Sequence, residues 1–459
     1  MNLSIIPSRL SQSVTDQSLA NSCTEHLIVF ARFPEPGKTK TRLISGFGDV
    51  QAVAIYKRLA DKTIQMASRF AFQRQCRFTI YFCGGSSESM AAEFGTEHEF
   101  SEQSGTDLGS RLANATEHAF SSGARRVVVI GTDCFDLNEN HLHRSFDALE
   151  RHDVVLGPAT DGGYYLIGLS VNQVPLFDSI DWGSSRVFEQ SRTIVQQCGT
   201  SLCELEILPD VDFPEDVLPL RRLDFTGEST LFECARGRIS VIIPTLNEAS
   251  YLPATLRSIG RPDDKLEIIV VDGGSTDETL AIASDFGAKA FVGNRSRAIQ
   301  MNAGAAVATG DTLLFLHADT LLPDGYVQGI EKSLDDDNIA GAFRLRIDGR
   351  GVGLRAVEWG ANLRSKLLQL PYGDQALFMR SKTFFELGGY RKLPIMDDFE
   401  LVQRLRRIGK VTLSNDAVCT SSRRWKKTGI LRTTIINQVC ILAYRLGVSP
   451  ERIAKLYRS

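Results

Sequence analysis

The sequence predicts an α/β protein in which two domains, each built around a mostly parallel sheet, follow one another in tandem. Short runs that are almost entirely apolar and β-branched alternate with longer helical patterns, which is typical of sheets covered by helices on both faces. Two such runs, residues 26–31 and 239–243, open two similar halves of the chain. Its 459 residues suffice for two or three domains of ordinary size.

Each half contains three further runs of this kind. They are predicted as strands over residues 77–82, 126–130, 153–156, 266–271, 288–292 and 312–316. The segment between the halves lacks clear periodicity, so the domain boundary is placed there. We therefore predict a disordered extension over 1–24, a first domain over 25–225, a linker over 226–238 and a second domain over 239–459.

The composition is that of an ordinary globular protein, with 43% hydrophobic and 23% charged residues. Lys plus Arg number 52 and Asp plus Glu 55, so the net charge is 52 − 55 = −3. This balance argues against a nucleic-acid partner, because such proteins usually carry a basic excess. The nine cysteines form no C-x-x-C pair, which favours reduced thiols in a cytoplasmic protein over a disulfide framework or a zinc site.

The N-terminal and C-terminal segments are considered as possible membrane-contacting or membrane-spanning segments. Residues 1–24 are polar and lack the apolar core of a signal peptide, and no run of 18 apolar residues predicts a transmembrane helix. Residues 423–459 carry nine Lys or Arg residues and one acid, Glu451. Such a segment is either a solvated helix pair at the domain edge or a contact for an anionic membrane surface or a pyrophosphate. The predicted location is the cytoplasm, with peripheral contact at the inner membrane face as the alternative.

Polar residues follow three predicted strands of the second half. Thr245 and Glu248 follow the first strand, Asp272 ends the second, and Asp319 follows the third. Ligands of open α/β sheets bind outside the carboxyl ends of the strands, so these side chains are candidates for a binding site. A strand-end Asp accepts hydrogen bonds from a base or a ribose, and a carboxylate such as Asp319 holds a hard divalent cation against a diphosphate.

Two adjacent acids, Asp397 and Asp398, stand at the start of a predicted helix over 399–407. The helix dipole stabilises an anion there, while each acid raises the pKa of its neighbour towards neutrality. A carboxylate tuned in this way suits a general base. The alternative is plain capping of the helix, because acids are favoured at that position anyway.

The strings VIIPTLNEASYL, IIVVDGGSTDETL and NRSRAIQMNAGAAVATGDTLLFLHADTLLPDG resemble the inverting family-2 glycosyltransferases, which have the nucleotide-sugar-binding GT-A fold. The resemblance runs from Ile239 to the C-terminus. It implies transfer of a sugar from a nucleotide-diphosphate sugar donor to a hydroxyl acceptor, small or lipid-like, with Mg²⁺ or Mn²⁺. The family's D-x-D motif reads H-A-D here, as in a subgroup associated with arsenosugar biosynthesis.

This resemblance assigns roles residue by residue. It implies that Asp319 binds the metal ion and that the nucleotide is bound by Thr245, Glu248, Asp272, Arg297 and His317. Asp398, with Asp397 as its partner, would accept the proton of the acceptor hydroxyl. The acceptor or the diphosphate would be bound by Asp374, Arg424 and Trp425. His317 replaces the first Asp of the motif. A surface helix arginine is the alternative for Arg297, and a packed side chain is the alternative for Trp425.

The first half carries its own polar clusters. Lys38, Lys40 and Arg42 alternate after a Pro/Gly turn, where they could cradle phosphates, although the spacing is not that of a Walker A loop and a solvated basic loop is the alternative. The remaining candidates are acids near predicted strand ends: Asp133 with Asp210 or Asp212 as a metal clamp, and Asp161, within a glycine-rich turn, for a nucleotide, a sugar or an acceptor phosphate.

The strings PGKTKTRL, DLGSRL, GTDCFDL, DGGYYLIG and DVDFPED resemble a glycosyltransferase-like family related to nucleotidyltransferases, over about residues 25–223. Phe135 and Phe213 depart from the usual patterns beside the acids. The resemblance implies that this domain makes the activated donor or binds a second nucleotide. Two alternatives remain open: an inactive N-terminal domain used for docking, and a chain that binds nucleotide sugars as a scaffold without catalysis.

Overall fold

A computed structural model of the chain describes residues 24–227, 231–232, 234–334 and 338–458. Apart from Thr24, the predicted N-terminal extension lies outside the described residues. The chain divides into two compact units. Among the described residues, unit 1 contains 24–41 together with 49–212, and unit 2 contains 42–48 together with those from 213 onward.

Unit 1 is built on a seven-stranded sheet. Its strands are β1 (Glu25–Arg32), β2 (Arg77–Cys83), β3 (Phe100–Glu102), β4 (Arg126–Ile130), β5 (Val154–Pro158), β6 (Tyr164–Leu169) and β7 (Leu202–Glu204). The spatial order is β3-β2-β1-β4-β6-β5-β7, with β6 antiparallel to both neighbours and the other pairs parallel.

The helices up to the end of unit 1 are α1 (Thr41–Arg74), α2 (Ser87–Phe94), α3 (Leu108–Ser121), α4 (Glu139–Ala148) and α5 (Val187–Gln197), with a 3₁₀ turn at Val174–Phe177. Helix α1 is interrupted at Gly48, whose φ of 77° and ψ of 169° are not helical. This break coincides with the unit boundary, since residues 42–48 belong to unit 2. The motif DLGSRL begins α3, where the carboxylate of Asp107 accepts the Ser110 N–H at 2.8 Å as an N-cap.

Unit 2 is built on an eight-stranded sheet. Its strands are β8 (Ala235–Thr245), β9 (Leu266–Asp272), β10 (Lys289–Val292), β11 (Gly310–Phe315), β12 (Thr320–Leu321), β13 (Asn338–Ile347), β14 (Phe378–Arg380) and β15 (Lys410–Thr420). The order is β10-β9-β8-β11-β14-β13-β15-β12. Strand β8 begins within the segment 226–238 that the sequence predicts as a linker.

The helices of unit 2 complete its framework. They are α6 (Leu218–Thr226), α7 (Leu252–Ile259), α8 (Thr279–Asp285), α9 (Arg297–Val307), α10 (Tyr326–Ser333), α11 (Val352–Leu368), α12 (Ser381–Glu386), α13 (Asp397–Ile408), α14 (Arg423–Thr428), α15 (Ile430–Arg445) and α16 (Pro450–Arg458). Short 3₁₀ turns lie at Pro214–Val217 and Gly373–Gln375. No helix among the described residues is both long enough and apolar enough to cross a membrane.

The two sheets have the same strand order. Each places its third, second, first and fourth strands side by side in parallel and then inserts an antiparallel strand, β6 in unit 1 and β14 in unit 2. Unit 2 adds only the short strand β12 at its edge. The predicted fold class, α/β with two GT-A-like domains in tandem, is confirmed.

Parallel pairing brings the carboxyl ends of neighbouring strands together. In unit 2, Thr245 at the end of β8 pairs with Asp272 at the end of β9, and Phe315 at the end of β11 pairs with Ile242. The strand interiors are fully buried; Val241, for example, is 0% exposed. The polar residues that follow these strands therefore collect along one edge of the sheet.

The helix α1 offers a matched test of the unit 1 core. Phe70 is fully buried and stacks on Phe146 with ring centroids 5.7 Å apart, whereas Phe72, two residues later, is 87% exposed. We expect Phe70→Ala to lower the free energy of unfolding of unit 1 by about 3–5 kcal/mol, because it leaves a cavity. Phe72→Ala should change it by less than about 0.5 kcal/mol. Urea unfolding followed by circular dichroism measures both, and equal effects would contradict this packing.

Candidate active site

The loops after β8 and β9 are held together by the carboxylate of Asp272. One oxygen accepts the backbone N–H groups of Gly274 at 3.0 Å and Ser275 at 2.7 Å. The other accepts the hydroxyls of Thr245, at 3.0 Å, and of Ser275. Asp272 is 1% exposed. Both of its oxygens are thus engaged within the protein, so Asp272 and Thr245 shape the loops at this edge.

Arg423 joins two of the predicted acids. Its guanidinium donates to both oxygens of Glu248, at 2.6 and 2.8 Å, and its Nε lies 3.0 Å from Oδ2 of Asp319. The same guanidinium lies over the ring of Tyr251, 4.7 Å from its centroid. Burial raises the pKa of the Asp319 carboxyl, the charge of Arg423 opposes that rise, and Glu248 adds to it. Glu248 and Asp319 are therefore brought together by a cation.

Arg297 holds the acidic pair at the start of α13. It donates to both carboxylate oxygens of Asp397, through Nε at 3.0 Å and through Nη2, and this Nη2 also lies 3.0 Å from Oδ2 of Asp398. Asp397 is 2% exposed and Asp398 is 7% exposed. Two buried adjacent carboxylates are thus neutralised in part by one guanidinium. The sequence assigns Arg297 to a base or phosphates; in the structure its partners are these two acids.

The backbone around the acidic pair is specialised. Met396, which precedes the pair, has a φ of 68°. Residues other than glycine rarely adopt this left-handed backbone conformation. Gly373 approaches the pair so closely that a Cβ there would lie 2.3 Å from Oδ2 of Asp398. The turn that carries Gly373 is anchored by buried Gln375, whose side chain donates to the Phe343 carbonyl at 3.0 Å. Only a glycine at position 373 allows this approach.

The environment of Asp398 changes its acidity. Burial raises its pKa to about 7; Arg297 opposes the rise, and the carboxylates of Asp397 and Asp374 add to it. Its Oδ1 atom is buried and has no hydrogen-bond partner among the described residues. A carboxylate with one free oxygen and a pKa near neutrality has the properties of a general base.

A cleft opens in front of Asp398. Together with the solvent-open space at its mouth, it has a volume of about 670 Å³. Five of the predicted site residues line it: Arg297, His317, Asp374, Asp398 and Arg424. Inward-facing residues of the C-terminal helices, Asn437, Cys440, Ile441 and Tyr457, form part of its wall.

His317 enters this cleft as a neutral side chain. Burial lowers its pKa to about 3; the positive charges of Arg297 and Arg423 act in the same direction, whereas Asp397 opposes them. Its Nε2 atom is buried without a hydrogen-bond partner among the described residues. His317 and Asp398 thus line the same cleft, and each carries one buried polar atom without a hydrogen-bond partner among the described residues.

Trp425 lies elsewhere. It packs against the apolar cluster of Leu345, Ile347, Leu354 and Ala361, and it is not among the residues that line the cleft. The neighbouring Arg424 does line the cleft, and its guanidinium lies over the ring of Tyr457 at 4.5 Å. The sequence places Arg423 with Arg424 beside Trp425 as a cover for a sugar or a diphosphate, but it does not predict that Arg423 contacts Glu248 and Asp319.

The donors at Asp319 suit a hard divalent cation. The carboxylate supplies one oxygen ligand, and such ions complete their shells with water and phosphate oxygens. Arg423 holds that oxygen at present, so binding of an ion there requires the guanidinium to move or to share the carboxylate.

The three alternating basic residues have different partners. In unit 1, Lys38 pairs with Glu35 at 2.7 Å. Arg42 belongs to unit 2, where its guanidinium lies over the ring of Phe213. Lys40 instead turns inward. Its ammonium group lies between Asp133 and Asp212, at 2.9 and 2.8 Å.

Lys40 has an unusual backbone conformation and is unusually buried for a lysine. Its φ of 51° is left-handed and its side chain is only 8% exposed. Burial disfavours its charge, but the carboxylates of Asp133 and Asp212 outweigh that effect and raise the pKa of Lys40. Its charge therefore balances two of the predicted metal ligands.

Three acids of unit 1 converge. Ligand atoms of Asp161, Asp210 and Asp212 lie within 4.8 Å of one another. A bridge between Ala159 and Leu208 brings their two loops side by side. Burial, together with the charge of Asp161, raises the pKa of Asp210. Three carboxylates at this separation fit a Mg²⁺ or Mn²⁺ ion. The set includes Asp161, which the sequence assigns to a nucleotide, in place of Asp133.

Comparison with known families agrees with this division. Residues 240–389 match the model of Glycosyl transferase family 2. The chain carries a family 2 glycosyltransferase domain. Residues 66–184 match the model described as "Uncharacterized protein conserved in bacteria (DUF2064)". The predicted family-2 domain is therefore confirmed, and the N-terminal match names a family without an activity.

Individual relatives of the family 2 domain are glycosyltransferases. A PGL/p-HBAD biosynthesis glycosyltransferase of Mycobacterium bovis is 47% identical over 96 residues, which are 19% of this chain and 38% of that protein. Dolichyl-phosphate beta-glucosyltransferase of Drosophila melanogaster is 30% identical over 141 residues, 26% of this chain and 40% of that protein. The chain thus spans less than half the length of these curated relatives.

A solved structure is also similar in sequence. It is a Desulfovibrio desulfuricans G20 protein classed provisionally as a nucleotide-diphospho-sugar transferase. It is 31% identical, and the match covers 44% of this chain and 88% of that protein with a TM-score of 0.41.

Proposed function

We propose that unit 2 transfers a sugar from a nucleotide-diphosphate sugar to a hydroxyl acceptor with inversion, and that Asp398 is the general base. The observation that carries the proposal is the state of this carboxylate. It is buried at a helix start, has a pKa raised to about 7, and keeps Oδ1 free beside a cleft. Binding of a nucleotide sugar alone does not require such a group.

The proposed step is a single displacement. The acceptor oxygen forms a bond to the anomeric carbon, the bond from that carbon to the diphosphate oxygen breaks, and the diphosphate leaves with the electron pair. The acceptor proton passes to Oδ1 of Asp398. Arg297 fixes Oδ2 of the same carboxylate at 3.0 Å, so Oδ1 is the oxygen left to take the proton. Attack from the side of the base, opposite the leaving group, inverts the configuration.

The donor would lie along the edge where β8, β9 and β11 end. The loop that Asp272 holds presents its backbone there, and Glu248, Arg423 and Asp319 lie together at the same edge. A Mg²⁺ or Mn²⁺ ion at Asp319 would neutralise the leaving diphosphate. The guanidinium of Arg423 would turn from the two carboxylates to the phosphates when the donor binds.

We expect Asp398→Asn to lower the turnover number by about 10²–10⁴-fold, because the amide cannot take the acceptor proton. Donor affinity should stay within about twofold, as the donor groups are untouched. In the wild type, turnover should rise with pH up to about 7, since the carboxylate must be ionised to act.

Donor hydrolysis and donor binding, followed by nucleotide release and by calorimetry, give the two readouts. The control is Asp285→Asn, an exposed acid on α8 that should leave both unchanged. Full activity in the Asp398→Asn variant would contradict the assignment. Intact donor binding with no turnover even in the wild type would favour a non-catalytic scaffold.

For unit 1 we propose divalent-cation binding at Asp161, Asp210 and Asp212 in support of nucleotide chemistry. The specific support is the convergence of these three acids with buried Lys40. A cation and a lysine at one strand edge suit the phosphates of a nucleoside triphosphate. Formation of the activated donor in this unit would place consecutive reactions on one chain.

We expect Asp161→Asn to weaken Mn²⁺ binding by about tenfold, since it removes one anionic ligand. The substitution is isosteric and its oxygen can still accept the Gly163 N–H, now at 2.7 Å. Calorimetry in an Asp319→Asn background isolates this site from the one in unit 2. The control is Asp153→Asn, another acid of unit 1 with a structural role at Ser201. Unchanged Mn²⁺ affinity in the Asp161→Asn variant would refute the site.

A further inference from the structure

Two helices of unit 2 leave rows of large apolar side chains exposed. On α11 the row includes Val352 at 88%, Trp359 at 68% and Leu367 at 68% exposure. On α15 it includes Leu431 at 74% and Leu442 at 59%. The spacing within each row follows helical periodicity, so each row lies along one face of its helix. Exposed apolar side chains that are contiguous along a helix face indicate a contact surface.

The two helices are neighbours. A Cβ placed on Gly353, at the start of α11, would lie 3.0 Å from Cδ1 of Ile430, at the start of α15. Val357 and Ile430 both pack against the apolar cluster that contains Leu354. The two rows therefore belong to adjoining helices of the same unit.

Helix α15 has two faces with different roles. Asn437, Cys440 and Ile441 line the cleft of Asp398, and Cys440 is only 2% exposed. The exposed row that contains Leu431 and Leu442 lies on the other side of the helix. A surface that covers this row would therefore come close to the wall of the cleft.

Positive charge accompanies the exposed row of α15. Lys426, Lys427, Arg432, Arg452 and Lys455 are exposed on α14, α15 and α16, whereas the guanidinium of Arg445 lies over the ring of Phe399 at 5.7 Å. Within the part of the chain that the structure describes, none of these five exposed cations forms an ion pair, and Glu451 is the one acid of the three helices. Unpaired cations beside apolar side chains, with a Trp among them, are the pattern of a helix surface that binds anionic lipid.

We propose that α11 and the C-terminal helices α14–α16 form a docking face for an anionic lipid bilayer. The apolar rows would enter the boundary between headgroups and acyl chains, while the lysines and arginines would contact the lipid phosphates. Charge favours this occupant over a second copy of the chain, because two such basic faces repel each other. If the proposed function holds, docking brings the cleft to the bilayer surface, so the acceptor is a hydroxyl group borne by a membrane lipid.

Vesicle binding of the full chain tests the docking without any donor or acceptor. We expect binding to vesicles of phosphatidylglycerol with phosphatidylcholine, little binding to phosphatidylcholine alone, and weakening by salt. Leu431→Glu with Leu442→Glu should reduce partitioning by about tenfold or more, as should Lys426→Gln with Lys427→Gln. The control is Phe72→Glu, an exposed aromatic of unit 1 that should have no effect.

Three results would overturn the proposal: equal binding to both kinds of vesicle, unchanged binding in the leucine variant, or a stable dimer that the leucine variant dissociates. Sedimentation analysis provides the last of these. Thermal unfolding checks that each variant folds. The Asp398→Asn variant should bind vesicles like the wild type, so failure of the docking face and failure of the proposed catalysis can be told apart.

Discussion

The site of unit 2 depends on one guanidinium placed against two buried carboxylates. Without Arg297, Asp397 and Asp398 would be two adjacent buried anions at the start of a helix without a compensating positive charge, which is energetically costly. With it, Asp397 is held through both oxygens and Asp398 through one. The other oxygen of Asp398 has no hydrogen-bond partner among the described residues, and burial raises the pKa of this carboxyl group, which lines the cleft, to about 7. The strained backbone at Met396 and the close approach of Gly373 serve this same arrangement.

Both units balance acids at strand ends with a cation. In unit 1 the buried ammonium of Lys40 lies between Asp133 and Asp212, and in unit 2 the guanidinium of Arg423 joins Glu248 to Asp319. A carboxylate cluster without such a partner would repel itself and protonate. Because the two sheets share their strand order, a cation paired with strand-end acids occurs at the corresponding edge of each sheet.

The sequence predicted the strands and the acids at their ends because local patterns determine both. Apolar β-branched runs identify β1, β4, β8 and β9, and parallel pairing then places the following residues together. Long-range partners were not accessible in this way. Arg297 precedes Asp397 by 100 residues, and no local pattern indicates that the two meet. The side chain of Lys40 turns inward from a residue with a left-handed backbone conformation, and the local sequence does not predict that conformation.

The central claim is that Asp398 is a carboxylate poised near neutrality, and direct titration of its carboxyl group tests it. Infrared difference spectra of wild type against the Asp398→Asn variant, recorded from acid to alkaline pH, isolate the signal of this one group. The account predicts that the protonated carboxyl band of Asp398 disappears with a midpoint near 7. Ionisation complete at the ordinary aspartate value of roughly 4 would contradict it.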